Sequence, residues 1–151
     1  QIAVSAGAGY SLYGRQESLL MLDGAPAAGH DVDALESALR EQIAQLRDAP
    51  VTAAELERVK AQVLADHVYQ QDSVFYQAMQ IGTLETVGLG WRRMDEYLPR
   101  IQAVTAEQVQ AVARKYLVDE RLTVAVLEPQ PMDADARARA RAAAMGGGHG
   151  H

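Results

Sequence analysis

From Asp31 to Glu120 the chain carries helical periodicity and helix punctuation with no strand pattern between them. Strand-type alternation is confined to the two ends, residues 2–26 and 121–129. Parallel α/β folds interleave strands and helices one by one, whereas helices gathered between strands pack as a layer on one face of an antiparallel sheet. The order β-β-α-α-α-α-β therefore predicts an α+β fold of two layers, an antiparallel sheet with helices packed on one face. The length, 151 residues, fits one domain. Three strands are few for this mass of helix. The expectation is that further strands lie upstream of Gln1 or in another chain.

The first strand pattern is Ala3-Val4-Ser5-Ala6-Gly7-Ala8-Gly9-Tyr10-Ser11. Side chains alternate between faces along a strand. Ile2, Val4, Ala6, Ala8 and Tyr10 share one face, and Ala3, Ser5, Gly7, Gly9 and Ser11 the other. That second face is almost bare. Glycine within a strand marks close approach by another backbone or by a ligand. A polar turn containing Gly14 leads to a second strand, residues 18–27. Its unbroken run Leu19-Leu20-Met21-Leu22 predicts cover on both faces.

Helix signals follow. Asp31 or Asp33 can cap the first helix, the latter with Glu36 three residues on. Leu35, Leu39, Ile43 and Leu46 give its apolar stripe, and Pro50 ends it. Thr52 with Glu55 opens the next helix, whose stripe is Leu56, Val59, Val63 and His67. An interruption at Tyr69–Ser73 separates this from Val74, Ala78 and Ile81. Gly88 and Gly90 break the pattern again. A short helix near Met94–Ile101 tolerates Pro99 poorly. Thr105 with Gln108 opens the last helix, with Val109, Val112, Ala113 and Tyr116 as its buried face. Residues 130–151 show little hydrophobic periodicity and end in glycines and histidines; a flexible tail is expected there, with transient helix over 134–144.

Charge and chemistry narrow the function. The net charge is −6, and the three arginines and two aspartates beyond Glu128 leave −7 on residues 1–128. Lys60 and Lys115 are the only lysines, so the clustered cations of a nucleic-acid surface are missing and no nucleic-acid partner is expected. There is no cysteine, and no apolar run reaches the ~18 residues of a membrane helix, so no membrane span is expected. No serine lies in a nucleophile elbow. The histidines are His30, His67, His149 and His151, and neither H-E-x-x-H nor H-x-x-E-H occurs. His67 reads as a packed helix residue and His30 as a turn residue. His149 and His151 lie in the tail, where two flexible imidazoles make a weak metal site. Glu85 and Asp95 flank the glycine break without an evident partner, and Tyr10, Tyr13, Trp91 and Tyr97 are available to touch a peptide or a neighbouring domain. No catalytic residue and no metal ligand is assigned in this chain.

The order of segments is itself informative. V-T-x-x-E-L-x-R-x-K occupies Val51–Lys60, D-E-Y-L Asp95–Leu98, and I-x-x-V-T-x-E-x-V Ile101–Val109. A-R-K-Y-L and then D-x-R-L-T-V-A-V follow within Ala113–Val126, and the helix pattern over 29–46 precedes them all. Together these resemble the closing portion of a lobe of the pitrilysin/insulinase-type zinc peptidases, over residues 1–129.

The resemblance implies a metallopeptidase half-lobe, with 1–129 a partial C-terminal peptidase-like lobe and 130–151 a tail. In that family, related lobes close around a peptide, and the zinc-bearing lobe carries H-x-x-E-H. The second lobe supplies chamber wall and substrate contacts. The implied role here is the second lobe, with no cofactor in this chain and zinc in a partner lobe. The partners would be that zinc-bearing lobe and a peptide substrate. Family members often place a tyrosine in G-L-A-Y at the first strand, with an upstream arginine; Val4 stands in the tyrosine position here. The near-bare strand face then offers Ser5, Gly7, Gly9 and Tyr10 as candidate substrate-binding residues, with an extended peptide added to the sheet edge. The family suggests a bacterial periplasmic setting, with the cytoplasm as the alternative. An assembly subunit derived from a peptidase, without proteolytic role, is the competing functional reading; a generic helical interaction module is a third.

Overall fold

Two strands and five α-helices account for most of residues 1–128, the part of the chain that the computed structural model describes. Strand β1 (Ala3–Tyr10) pairs antiparallel with β2 (Leu20–Pro26). Helices α1 (Val32–Asp48), α2 (Ala53–Gln70), α3 (Val74–Thr86), α4 (Met94–Gln102) and α5 (Ala106–Tyr116) follow. Short 3-10 turns stand at Trp91–Arg93 and Asp119–Arg121. The architecture is α+β as expected, with the interruption at Tyr69–Ser73 dividing α2 from α3. The expected tail over 130–151, and with it His149 and His151, lies outside the described residues.

The helix starts obey their caps. Asp31, rather than Asp33, caps α1, its carboxylate accepting from the Ala34 N–H at 2.8 Å. Thr52 accepts from Glu55 N–H and Ser73 from Tyr76 N–H, each at 3.2 Å. Thr105 and Gln108 satisfy each other's backbone N–H groups reciprocally. Helix α3 stops where the chain turns through Gly88 (φ 82°) and Gly90 (φ 79°), a left-handed region that other residues enter at a cost. The carbonyl of Leu84 closes this loop by accepting from the N–H groups of Leu89 and Gly90. Pro99 sits inside α4 without ending it.

Strict alternation holds along β1 only beyond Ser5. Ala3 pairs with Pro26 but Ser5 with Ala25, so β1 contains one extra residue at Val4. Residues directly opposite in an antiparallel pair share a face. Gly24, paired with Ala6, lies under Leu35 of α1. Ala6, Ala8, Tyr10, Leu20 and Leu22 are therefore on the helix side, and Ser5, Gly7, Gly9, Met21, Asp23 and Ala25 face away.

Helix α1 is the hub. It packs on β2 and on α5. Its last turn is held by the Arg47 carbonyl, which accepts from Arg114 Nε at 2.7 Å and from Gln110 Nε2 at 3.2 Å. Arg40 joins Glu36 to Asp119. The buried hydrophobic residues among those described are Leu35, Leu84 and Ala113, one each on α1, α3 and α5, and of these Leu84 is fully buried.

Four sequence expectations are corrected. The Leu19–Leu22 run is exposed on the protein surface, because α1 covers only the Gly24 end of a two-stranded sheet. Val74 and Ile81 of α3 face solvent, since the helix turns Tyr76, Gln80 and Leu84 inward instead. Val112 and Tyr116 of α5 are likewise exposed, while Ala113 makes the close contact. The closing strand does not form over 121–128: no main-chain hydrogen bond joins 123–128 to any other described residue. A strand needs a neighbour to satisfy its N–H and C=O groups, and none of the described residues supplies one.

Candidate functional site

The loop that joins β1 to β2 leans over the helices. Ser11, Leu12 and Tyr13 form one rim of a groove of about 400 Å³. Helix α2 contributes Val63, Asp66, His67 and Gln70, and the connection contributes Gln71. Helix α3 adds Tyr76, Gln77, Gln80 and Thr83, and α4 adds Met94 and Tyr97. A smaller compartment of about 270 Å³ adjoins it, sharing His67, Gln71 and Met94 and adding Asp95, Leu98 and Pro99.

The polar lining is held in place. The His67 ring lies 5.7 Å from that of Tyr97, tilted by 35°, and its Nε2 is 3.1 Å from Gln71 Nε2. Gln77 donates through Nε2 to the Gln71 carbonyl at 2.6 Å. Gln80 donates through Nε2 to the Tyr76 hydroxyl, also at 2.6 Å. Burial, with Tyr97 beside it, pushes the Tyr13 phenol above its ordinary value of 10.0; Arg100 and Arg93 oppose that shift. Both arginines bind Glu96, at 2.7 Å and 2.6 Å. The result is a fixed set of amide, phenol and imidazole groups, with Asp66 as the carboxylate of the larger compartment.

The sequence-derived candidates fall elsewhere. Ser5, Gly7 and Gly9 lie together on the sheet face turned away from α1, and Tyr10 lies on the other face, 60% exposed. Gly9 has open space where a side chain would stand, and at Gly7 only the Asp23 carboxylate is close. His67 is half-buried and His30 sits in the turn before α1, as expected of packed and turn residues. Glu85 has a structural partner, accepting from the Trp91 N–H at 2.8 Å. Among the described residues, no three His, Asp or Glu side chains gather where they could hold a metal ion. Nor is any helix among them long and apolar enough to cross a membrane.

Sequence reasoning missed the groove because its polar members are spread over three helices. The available signal was the density of glutamine and tyrosine between residues 69 and 80, at the junction of α2 and α3.

No family model matches this chain, and no curated protein matches it. Solved structures do. A protease from Helicobacter pylori superposes with a TM-score of 0.70 at 19% identity, over 80% of this chain and 29% of that one. The inactive peptidase domain of a candidate zinc protease from Bordetella parapertussis gives 0.65 at 21%, over 86% of this chain and 71% of that one. A candidate zinc protease from Bordetella pertussis Tohama I gives 0.67 at 22%, over 85% and 70%. The chain thus has a peptidase-like fold, and it spans less than a third of the Helicobacter protein.

Proposed function

We propose that this chain is a non-catalytic, C-terminal-type lobe of an insulinase-type zinc metallopeptidase. It walls a peptide chamber and positions peptide, while a zinc-bearing lobe elsewhere cleaves it. The observation that carries this reading is the match to an inactive peptidase domain over most of both chains, together with a sequence that has no H-x-x-E-H or H-E-x-x-H. A zinc peptidase needs a metal to activate water and a carboxylate to take its proton. In this reading both belong to the partner.

Two surfaces of the lobe face substrate on this account. The bare sheet face at Ser5, Gly7 and Gly9, with Tyr10 at the strand end, leaves room for extended polypeptide. The amide-lined groove provides fixed hydrogen-bonding groups. The family resemblance supplies the remaining elements: a bacterial periplasmic setting and zinc in the partner lobe.

Reconstitution tests the reading. The zinc-bearing lobe encoded in the same genome is assayed on a quenched, unstructured peptide with and without this chain. The chain alone should cleave nothing, and its addition should raise kcat/KM by at least about tenfold if it supplies substrate positioning. An unchanged rate would reject the role.

A further inference from the structure

We infer that the groove between the β1–β2 loop and helices α2, α3 and α4 holds a basic side chain, arginine or lysine, of an extended peptide. This rests on the peptide-positioning role proposed above and names the substrate feature that the groove reads.

Charge is the first reason. Asp66 lines the larger compartment and Asp95 the smaller, and neither compartment is lined by Lys or Arg. Asp66 makes no ion pair among the described residues. The nearby cations, Arg93 and Arg100, share the Glu96 carboxylate.

Ring chemistry is the second. Tyr13, Tyr76 and Tyr97 all line the larger compartment. The face of an aromatic ring is electron-rich and attracts ammonium and guanidinium groups.

Hydrogen-bonding polarity is the third. Gln77 and Gln80 each donate one N–H of the amide to a partner within the protein, the Gln71 carbonyl and the Tyr76 hydroxyl. Each keeps an amide oxygen to accept. A guanidinium offers five donors and no acceptor, so it matches amide oxygens and a carboxylate. An acidic side chain would meet Asp66 and acceptors already in place.

Fluorescence anisotropy on the whole chain at pH 8 tests this with a labelled, unstructured Gly/Ser peptide carrying one arginine. The comparison peptide carries citrulline there, which has the same shape without the charge. The citrulline peptide should bind about tenfold more weakly. Asp66→Asn, an exposed change, should bring the two affinities together. Tyr97→Leu, with its helix content checked by circular dichroism, should weaken the arginine peptide alone. Equal affinities in the native chain, a preference that survives Asp66→Asn, or no binding of either peptide would overturn the assignment. The chamber-wall role is judged separately by the hydrolysis measurement with the zinc lobe.

Discussion

Leu35 closes directly over Gly24: a Cβ on that glycine would lie 3.1 Å from Leu35 Cδ2 and 3.1 Å from the Ser5 carbonyl oxygen. This contact joins the sheet to the helix layer. It involves one of the three buried hydrophobic residues among those described.

Gly24→Ala should therefore overpack the joint and destabilise the fold by about 1–3 kcal/mol. Leu35→Ala should cost about 2–5 kcal/mol through the cavity it leaves. The two share one space, so the double variant should lose less than the sum of the singles. Urea unfolding of the four proteins measures this; strict additivity would show that the residues do not press on each other.

Gly7 offers the opposite case. A Cβ there would meet only the Asp23 carboxylate, at 2.9 Å from Oδ1, and that exposed side chain can swing away. Gly7→Ala should stay within about 0.5 kcal/mol of the native stability. Gly7→Val should fold as well, while filling the bare sheet face. If that face receives peptide, reconstituted hydrolysis with the zinc lobe should slow in Gly7→Val and not in a substitution at exposed Gln42. Equal rates would remove Gly7 from the substrate surface.

The end of α1 depends on Arg114, whose Nε donates to the Arg47 carbonyl at 2.7 Å. Arg114→Ala should destabilise the α1–α5 contact by about 1–2 kcal/mol, the net value of a charge-assisted hydrogen bond near the surface. Amide exchange should quicken in α5 and the last turn of α1, and remain unchanged in α4. Uniform quickening would mean that this bond supports the whole fold rather than one joint.

Glu96 supplies a pH dependence. The hydrogen bond from Arg93, with the charges of Arg93 and Arg100, holds its carboxyl below the ordinary value of 4.5, against a smaller effect of desolvation. A carboxyl depressed in the folded state contributes stability above its unfolded pKa, and loses it as pH falls through the folded value. The contribution should thus be present at neutral pH and fade below about pH 4.5. Glu96→Gln should flatten that part of the acid limb and leave the slope above about pH 6 unchanged. Urea midpoints across this range decide it; an identical acid limb would rule out the Glu96 link.

Local chemistry was the most legible part of this fold. Caps at Thr52 and Thr105, breaks at Pro50 and at Gly88–Gly90, and the Leu35–Leu46 stripe act within a few residues. They read directly from sequence. Helix α3 misleads because its apolar residues Val74, Phe75 and Ile81 face outward, while Tyr76 and Gln80 bond to each other on the inner side. No periodicity rule anticipates a polar face turned inward toward a groove. The site was harder still. Asp66, His67, Tyr76 and Tyr97 come from three helices, and their approach depends on how α2, α3 and α4 cross. The shared face of Ser5, Gly7 and Gly9 is legible because strand alternation is a short-range property.

The stretch 123–128, which finds no main-chain partner among the described residues, bears on how the protein behaves at high concentration. Its apolar side chains stand open to water, Leu127 at 92%, and it contains neither proline nor lysine to deter sticking. Mutual repulsion of the acidic bodies is then the main barrier to clumping. Salt screens that repulsion and acid removes it. The amount of this protein that stays in solution should therefore fall as salt is added or as the pH approaches the isoelectric point.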